Sequence, residues 1–216
     1  MISKKNLIFL GAPGVGKGTG ASGLIEREPL VHISTGDILR AEIKNGTELG
    51  KNASVLMEKG KLVPDEIVAG MVKSRLQQPD CQNGFILDGF PRTIRQAELL
   101  EEALEGIGKK IDAVIYFDIS DDILLKRLTA RVSCKQCGKI YNKLFLPPKK
   151  ENTCDDCGVE LFQRPDDSLE TAKDRLKVFY KSTQPLINYY KEKNLLTSIT
   201  EIDRDKMITS LFEKLG

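Results

Sequence analysis

Between residues 11 and 19 the chain reads Gly-Ala-Pro-Gly-Val-Gly-Lys-Gly-Thr, directly after the apolar run Asn6-Leu7-Ile8-Phe9-Leu10. Glycines at this density let successive backbone N–H groups turn inward round an anion, and a helix opening at Gly16 adds a favourable dipole. Lys17 supplies a point charge for terminal phosphates, and the hydroxyl of Thr19 can help hold Mg²⁺. The general pattern G-x-x-x-x-G-K-[ST] is met except that Gly18 stands between the lysine and the hydroxyl. This combination predicts a loop that grips the phosphates of a nucleotide.

A loop that grips terminal phosphates suits phosphoryl transfer, a reaction that asks little covalent chemistry of the protein. It needs charge neutralisation and in-line positioning. The residue types agree. His32 is the single histidine, and no Ser–His–Asp or Cys–His set is suggested. Arginine, whose planar fork suits phosphate oxygens, stands at candidate positions instead. Asp88 closes an apolar run, where a carboxylate can orient water around Mg²⁺.

Four of the five cysteines form the pairs Cys134-Lys-Gln-Cys137 and Cys154-Asp-Asp-Cys157, separated by sixteen residues. This is a zinc-ribbon spacing, and each pair can aim two thiolates at one tetrahedral ion. Four thiolates leave no open position, so the metal would be structural; zinc is expected, and iron also suits an all-sulfur site. Cys81 stands alone and reads as an unliganded thiol.

The elements that must position these groups alternate. Strands are expected at 6–10, 31–33, 84–88, 113–117 and 195–202, and helices at 16–28, 37–45, 66–78, 93–104, 121–129 and 169–193. Such alternation predicts an α/β parallel sheet covered by helices on both faces. The stretch 130–167 breaks the rhythm, being rich in Cys, Gly, Pro, Lys and Asp, and reads as an inserted β-rich module stabilised by its metal. Gly20 and Gly23 fall inside the first helix, where each costs roughly 1 kcal/mol against alanine. Close packing of that helix on the sheet would account for them. His32 is expected to pack beside the short second strand.

Composition excludes several classes. Hydrophobic residues make up 40% of 216, and 33 basic residues face 31 acidic ones, so neither disorder nor a strongly charged partner is indicated. Nucleic acid and membrane are not expected as partners. Only five residues separate the N-terminal Met1-Ile2-Ser3-Lys4-Lys5 from glycine, too short a run for a secretory core, which predicts a cytoplasmic protein.

The G-x-P-G-x-G-K-G-T form of the loop resembles the nucleoside monophosphate kinases, and the adenylate kinase family above all. Further motifs carry the likeness through nearly the whole chain. They are His32 to Arg40 (HISTGDILR), Gly60 to Asp65 (GKLVPD), Gly84 to Gln96 (GFILDGFPRTIRQ), and Arg164 to Asp167 with Arg175. The resemblance implies a P-loop parallel sheet over residues 1–216, with a helical AMP-binding insertion at 34–63 and a zinc-binding lid at 130–167. It implies reversible Mg²⁺-dependent transfer, ATP + AMP to 2 ADP, by a monomer.

Residue by residue, Gly14, Val15, Gly16, Lys17, Gly18 and Thr19 would hold the donor phosphates. Arg127 and Arg131 would reach the donor from the lid side, and Ile140 and Tyr141 would lie near the ATP base. Thr35 and Gln96 would recognise the AMP base, helped by Lys61, Leu62 and Val63 and by the Gly89-Phe90-Pro91 segment. Arg40 and Arg92 would grip the AMP phosphate, with Arg164 and Arg175 closing on the transfer. Lys206 would contact adenine through its backbone, although Arg204 replaces the family's usual glycine; Gly20 similarly replaces a usual glutamine. The lid cysteines match bacterial adenylate kinases with a zinc-bearing lid. Two rival readings are a kinase for UMP or CMP, and a nucleic-acid-binding zinc-ribbon protein switched by ATP.

Overall fold

The computed structural model describes residues 1–216. Its main sheet contains β1 (Asn6–Gly11), β2 (Val31–Ser34), β3 (Phe85–Asp88), β4 (Ala113–Phe117) and β8 (Leu196–Ile199), in the order β2-β3-β1-β4-β8 and parallel throughout. The apolar runs alternate their burial between two faces. Leu7, Phe9, Ile86, Ala113, Ile115 and Phe117 join one core, and Ile8, Leu10, Phe85, Leu87 and Val114 the other. A sheet buried on both sides needs such unbroken apolar strands.

Helices α1 (Lys17–Ile25), α6 (Asp121–Thr129), α7 (Leu169–Val178) and α9 (Arg204–Leu215) contribute to the first core. Helices α2 (Thr35–Lys44), α3 (Glu48–Glu58), α4 (Asp65–Leu76), α5 (Ile94–Glu105) and α8 (Pro185–Glu192) contribute to the second. A separate antiparallel sheet, in the order β6-β5-β7, is built from β5 (Arg131–Cys134), β6 (Ile140–Asn142) and β7 (Leu161–Phe162). The α/β parallel sheet and the small β-rich module expected from the sequence are therefore both present.

The chain leaves β1, crosses to β2, returns to β3 beside β1, and then passes to β4 on the other side of β1. This reversal opens a crevice at the carboxyl end of β1, where ligands bind in open α/β sheets. Gly11, Ser34, Asp88 and Phe117 all end their strands at that edge.

Three elements depart from the expected pattern. Helix α3 carries Gly50, a weak helix former, but that glycine lets α3 lie tight on α2: a Cβ there would stand 2.2 Å from the Glu42 carbonyl oxygen. Helix α9 shows helical spacing in Met207, Ile208, Leu211 and Leu215 and is capped by Asp203, whose carboxylate accepts from the N–H groups of Asp205 and Lys206. The expected helix 169–193 is interrupted by a π-helical turn at Phe179–Thr183, in which Gln184 donates its backbone N–H to the Phe179 carbonyl at 2.9 Å. Pro185 follows and has no N–H to continue the regular ladder.

The two glycines of α1 now have a cause. A Cβ on Gly23 would lie 2.4 Å from Ile208 Cδ1, and one on Gly20 would lie 3.1 Å from Leu211 Cδ1 and 3.2 Å from Phe117. The tightest contact is thus with α9, and the sheet contributes only at Gly20. Gly23→Ala should destabilise by about 1–3 kcal/mol through overpacking, despite the gain in helix propensity. Gly20→Ala should cost less, and because the two residues touch, Gly23→Ala should cost less in an Ile208→Ala background than in the parent. Denaturant melts of the parent, the three single variants and the double measure this; a more stable Gly23→Ala variant would contradict the packing account.

Candidate functional site

The loop after β1 turns through left-handed backbone at Gly14, φ 83°, and Gly16, φ 114°. Side chains rarely adopt these angles, and a Cβ on Gly14 would also stand 2.8 Å from Leu128 Cγ. Gly16 caps α1 without a side-chain acceptor, so the first N–H groups of the helix face the crevice as anion donors. Lys17 Nζ donates to the carbonyls of Gly11 at 2.9 Å and Ala12 at 3.1 Å. Burial pushes its ammonium down to about 8, against the pull of Asp88, while Arg92, Arg175 and Arg131 add to the fall.

Asp88 sits across the sheet from Ser34 and Phe9. Burial works against its charge, but the hydrogen bond from His32 and the nearby Lys17 hold the carboxyl below its ordinary value. His32 Nε2 lies 3.3 Å from Asp88 Oδ2, and His32 lines the cavity. His32 lies within β2, as a packing residue of the second strand should, and alternation along the strand also turns it toward the site.

A cavity of about 620 Å³ runs from this loop. Lys17, Arg40, Arg92, Arg127, Arg131, Arg164, Arg175 and Arg204 all line it. Two aspartates of the segment before α7 organise these cations. Asp167, 0% exposed, accepts from Arg131 Nε at 2.7 Å, from a second Arg131 nitrogen, and from Arg175 at 3.1 Å. Asp166 pairs with Arg175 at 2.9 Å. Arg164 Nε donates to Ser133 Oγ at 3.0 Å. Burial opposes the charge of Arg131, yet the Asp167 carboxylate outweighs it and raises that guanidinium. Arg164 and Arg175 are pushed down to about 10, chiefly by burial, with neighbouring guanidinium groups acting in the same direction. Both remain charged at neutral pH.

Arg127 links three elements. It donates to the Val15 carbonyl at 3.0 Å and the Ile202 carbonyl at 2.7 Å, and its guanidinium lies 5.2 Å from the centre of the Phe145 ring. A planar cation and a ring at this spacing attract, and both offer flat faces to an aromatic base.

A smaller cavity of about 70 Å³ adjoins the first and shares Gly36, Arg40, Gly89, Arg92 and Arg175 with it. Its other walls include Thr35, Leu39, Met57, Val63 and Gln96. Thr35 Oγ1 and Arg92 Nε both donate to the Gly89 carbonyl, at 2.9 and 2.8 Å. Gln96 accepts from the Arg92 backbone N–H at 2.7 Å and donates to Asp65 at 2.9 Å. The π turn reaches the same place: Thr183 Oγ1 donates to the Arg92 carbonyl at 2.9 Å.

In the small sheet, the four sulfur atoms of Cys134, Cys137, Cys154 and Cys157 lie within 4.8 Å of one another. Cys137 and Cys154 are 3.7 Å apart, close to the ~3.8 Å edge of a tetrahedron with Zn–S bonds of about 2.3 Å. The two turns are alike. Gly138 and Gly158 donate to the carbonyls of Cys134 and Cys154, while the N–H groups of those cysteines donate to Lys139 and Val159. Lys139 bridges to Asp156 at 2.8 Å and ties one turn to the other. The tetrad fits a structural zinc ion, and Val132, Tyr141 and Leu161 supply the rest of a small core.

Comparison with known proteins agrees with this arrangement. A family model described as adenylate kinase matches residues 9–195. The chain belongs to the adenylate kinase family. It is 51% identical to the adenylate kinase of Archaeoglobus fulgidus over 97% of this chain and 95% of that one. It is 54% identical to that of Caldicellulosiruptor saccharolyticus over 97% and 96%, and 57% identical to that of Caldicellulosiruptor bescii over 88% of each. As an adenylate kinase it interconverts ATP and AMP with two ADP, MgATP being the phosphoryl donor. No helix is long and apolar enough to cross a membrane.

The adenylate kinase motifs converge, with three exceptions in their details. Gly14, Gly16, Lys17, Gly18, Thr19, Asp88, Pro91, Arg127, Arg131, Ile140, Tyr141 and Arg164 line the large cavity. Thr35, Lys61, Val63 and Gln96 line the small one, and Arg40, Leu62, Gly89, Arg92 and Arg175 line both. Val15 is buried and acts through its carbonyl on Arg127; Phe90 is buried in the core. Lys206 is exposed and lines neither cavity, while its neighbours Asp203, Arg204 and Met207 line the large one. Sequence reasoning gave His32 only a packing role and passed over Asp65, Phe145 and the roles of Asp166 and Asp167, because their significance lies in partners distant along the chain. Only the Asp-Asp step after Arg164-Pro165 gave a local signal.

Two measurements follow from this geometry. With Lys17 at about 8 instead of 10.5, kcat/KM for MgATP should fall as pH rises through about 8, since that ratio reports the free enzyme. kcat should hold to higher pH, because bound phosphate keeps the ammonium protonated. Whatever activity Lys17→Arg retains should lack the fall, and a flat profile through pH 8 would refute the placement of Lys17 charge. For the lid, metal analysis of protein purified under reducing conditions should find one zinc per chain. Chelation, or Cys134→Ser with Cys157→Ser, should lower the melting temperature while activity at low temperature largely persists. A chain purified free of metal would exclude the site.

Proposed function

We propose that this adenylate kinase binds MgATP in the large cavity and AMP in the small one, with the phosphates meeting where the two join. The α-phosphate oxygen of AMP attacks the γ-phosphorus of ATP in line. The bond from that phosphorus to the bridging β-oxygen breaks, its electron pair stays on the departing ADP, and the acceptor becomes the second ADP. No proton need move in the step.

The observation that carries this reading is the convergence of Lys17, Arg92, Arg131, Arg164 and Arg175 on one cavity wall system. Lys17 and the N–H groups of Gly14 to Thr19 hold the donor's phosphates. Arg40 and Arg92 hold the phosphate of AMP, and Arg131, Arg164 and Arg175 neutralise the group in flight. Arg127 and Phe145, with Ile140 and Tyr141 nearby, receive the ATP base, and Asp88 orients water on the substrate's Mg²⁺. Thr35 and Gln96 face the AMP base, with Lys61, Leu62 and Val63 beside them. Residues 34–63 and 130–167 close over the nucleotides as separate units on a core that completes the single domain 1–216, excluding water that would otherwise take the phosphoryl group. The enzyme works as a monomer in the cytoplasm.

A panel of AMP, UMP, CMP and GMP with MgATP tests the assignment, and AMP should be phosphorylated fastest. Faster turnover of another monophosphate would overturn it. In the same assay Arg92→Ala should lose on the order of 10²–10³ in rate with the fold intact, as expected for one group aimed at developing phosphate charge. Activity within about tenfold of the parent would remove Arg92 from its role.

A further inference from the structure

Asp65 stands at the first position of α4, outside every motif role assigned above. Its two carboxylate oxygens are both engaged by α5. Oδ2 accepts from Thr93 Oγ1 at 2.9 Å, and Oδ1 accepts from Gln96 Nε2 at 2.9 Å. Gln96 is 2% exposed and lines the small cavity. Its other end, Oε1, accepts from the Arg92 backbone N–H at 2.7 Å.

A glutamine amide has nearly identical shape in its two flipped forms, but the forms present opposite hydrogen-bonding polarity. A carboxylate only accepts, and a backbone N–H only donates. Asp65 and Arg92 therefore permit one form alone: nitrogen toward Asp65, oxygen toward Arg92. Flipping would set oxygen against carboxylate and N–H against N–H. One N–H and one oxygen lone pair of Gln96 remain for a ligand.

That pair matches one kind of purine edge. Adenine offers an acceptor at N1 and a donor at its 6-amino group. A 6-oxopurine offers the reverse, a donor at N1–H and an acceptor at O6. We infer that Asp65 is a specificity-determining positioning residue: by fixing the polarity of the Gln96 amide it selects a 6-aminopurine monophosphate over a 6-oxopurine one. The inference rests on the placement of the AMP base at Gln96 proposed above. Thr93 contributes by holding the other carboxylate oxygen while its hydroxyl also accepts from the backbone N–H of Gln96 at 3.1 Å, so Gln96 and its anchor share one helix cap.

Inosine 5′-monophosphate is the probe, because it reverses both groups without adding the guanine 2-amino group. Purine riboside 5′-monophosphate keeps the N1 acceptor and carries only hydrogen at C6. On the unaltered enzyme, kcat/KM should rank AMP first, purine riboside monophosphate second and IMP last; equal or better use of IMP than of purine riboside monophosphate would overturn the inference without any variant. In Asp65→Asn, whose amide can meet Gln96 with either end, the IMP-to-AMP ratio of kcat/KM should rise about tenfold, the scale of one hydrogen bond to a charged group. It should not reach unity, since the Arg92 N–H still opposes the flipped form. Equal losses for both substrates, with the ratio unchanged, would reduce Asp65 to a structural tie. Gln96→Ala separates the two levels. If it abolishes the preference while Asp65→Asn leaves it intact, the role of Asp65 fails and the base placement stands. If Gln96→Ala changes neither the KM for AMP nor the ratio, the base placement fails and the inference falls with it.

Discussion

Mutual repulsion among cations in one crevice is the constraint that the rest of this structure serves. Seven arginines and a lysine line a single cavity. Burial lowers Lys17, Arg92, Arg164 and Arg175 from their ordinary values, so the protein carries these charges in a disfavoured environment before substrate arrives. Phosphate groups are the natural complement. They offset charge that the fold has already concentrated, which is electrostatic preorganisation in structural form.

Such a cluster persists only if something holds it. Asp166 and Asp167 supply the counter-charge for Arg131 and Arg175, and Asp88 does so for Lys17. Removing one partner of a buried pair leaves an uncompensated charge and is strongly destabilising. These carboxylates are therefore part of the machinery although none need touch a phosphate. Ser133 extends the arrangement into the lid, because its hydroxyl accepts from Arg164 while the adjacent Cys134 belongs to the zinc-type tetrad. Lid order and arginine placement are thereby joined through two successive residues of β5.

The parallel sheet provides the rigid edge. Gly11, Ser34 and Asp88 emerge side by side because β1, β2 and β3 pair in register, and α1 reaches its position only because Gly20 and Gly23 admit α9. The helix dipole, the lysine and the carboxylate are set by packing on the side of the sheet away from the smaller cavity. Loops thus carry functional groups while both of their ends are anchored in buried strands or helices.

Much of this was legible in the amino-acid order, and for a definite reason. A phosphate-binding loop, paired C-x-x-C turns and apolar strands are local patterns, each fixed by residues a few positions apart. The P-loop, the metal tetrad and the α/β class could be read for that reason, whereas the segments bearing the arginines were found through the family resemblance. Helix α9 was also within reach, since Met207, Ile208, Leu211 and Leu215 keep helical spacing. Other features depend on contacts between residues far apart in the chain. The meeting of His32 with Asp88, of Asp65 with Gln96, of Asp167 with Arg131 and of Gly23 with Ile208 joins positions separated by about 30 to 185 residues. No local pattern encodes these pairs: burial and strand order decide them, and so only the tertiary structure shows which charges are opposed, which glycines are necessary and which way the Gln96 amide faces.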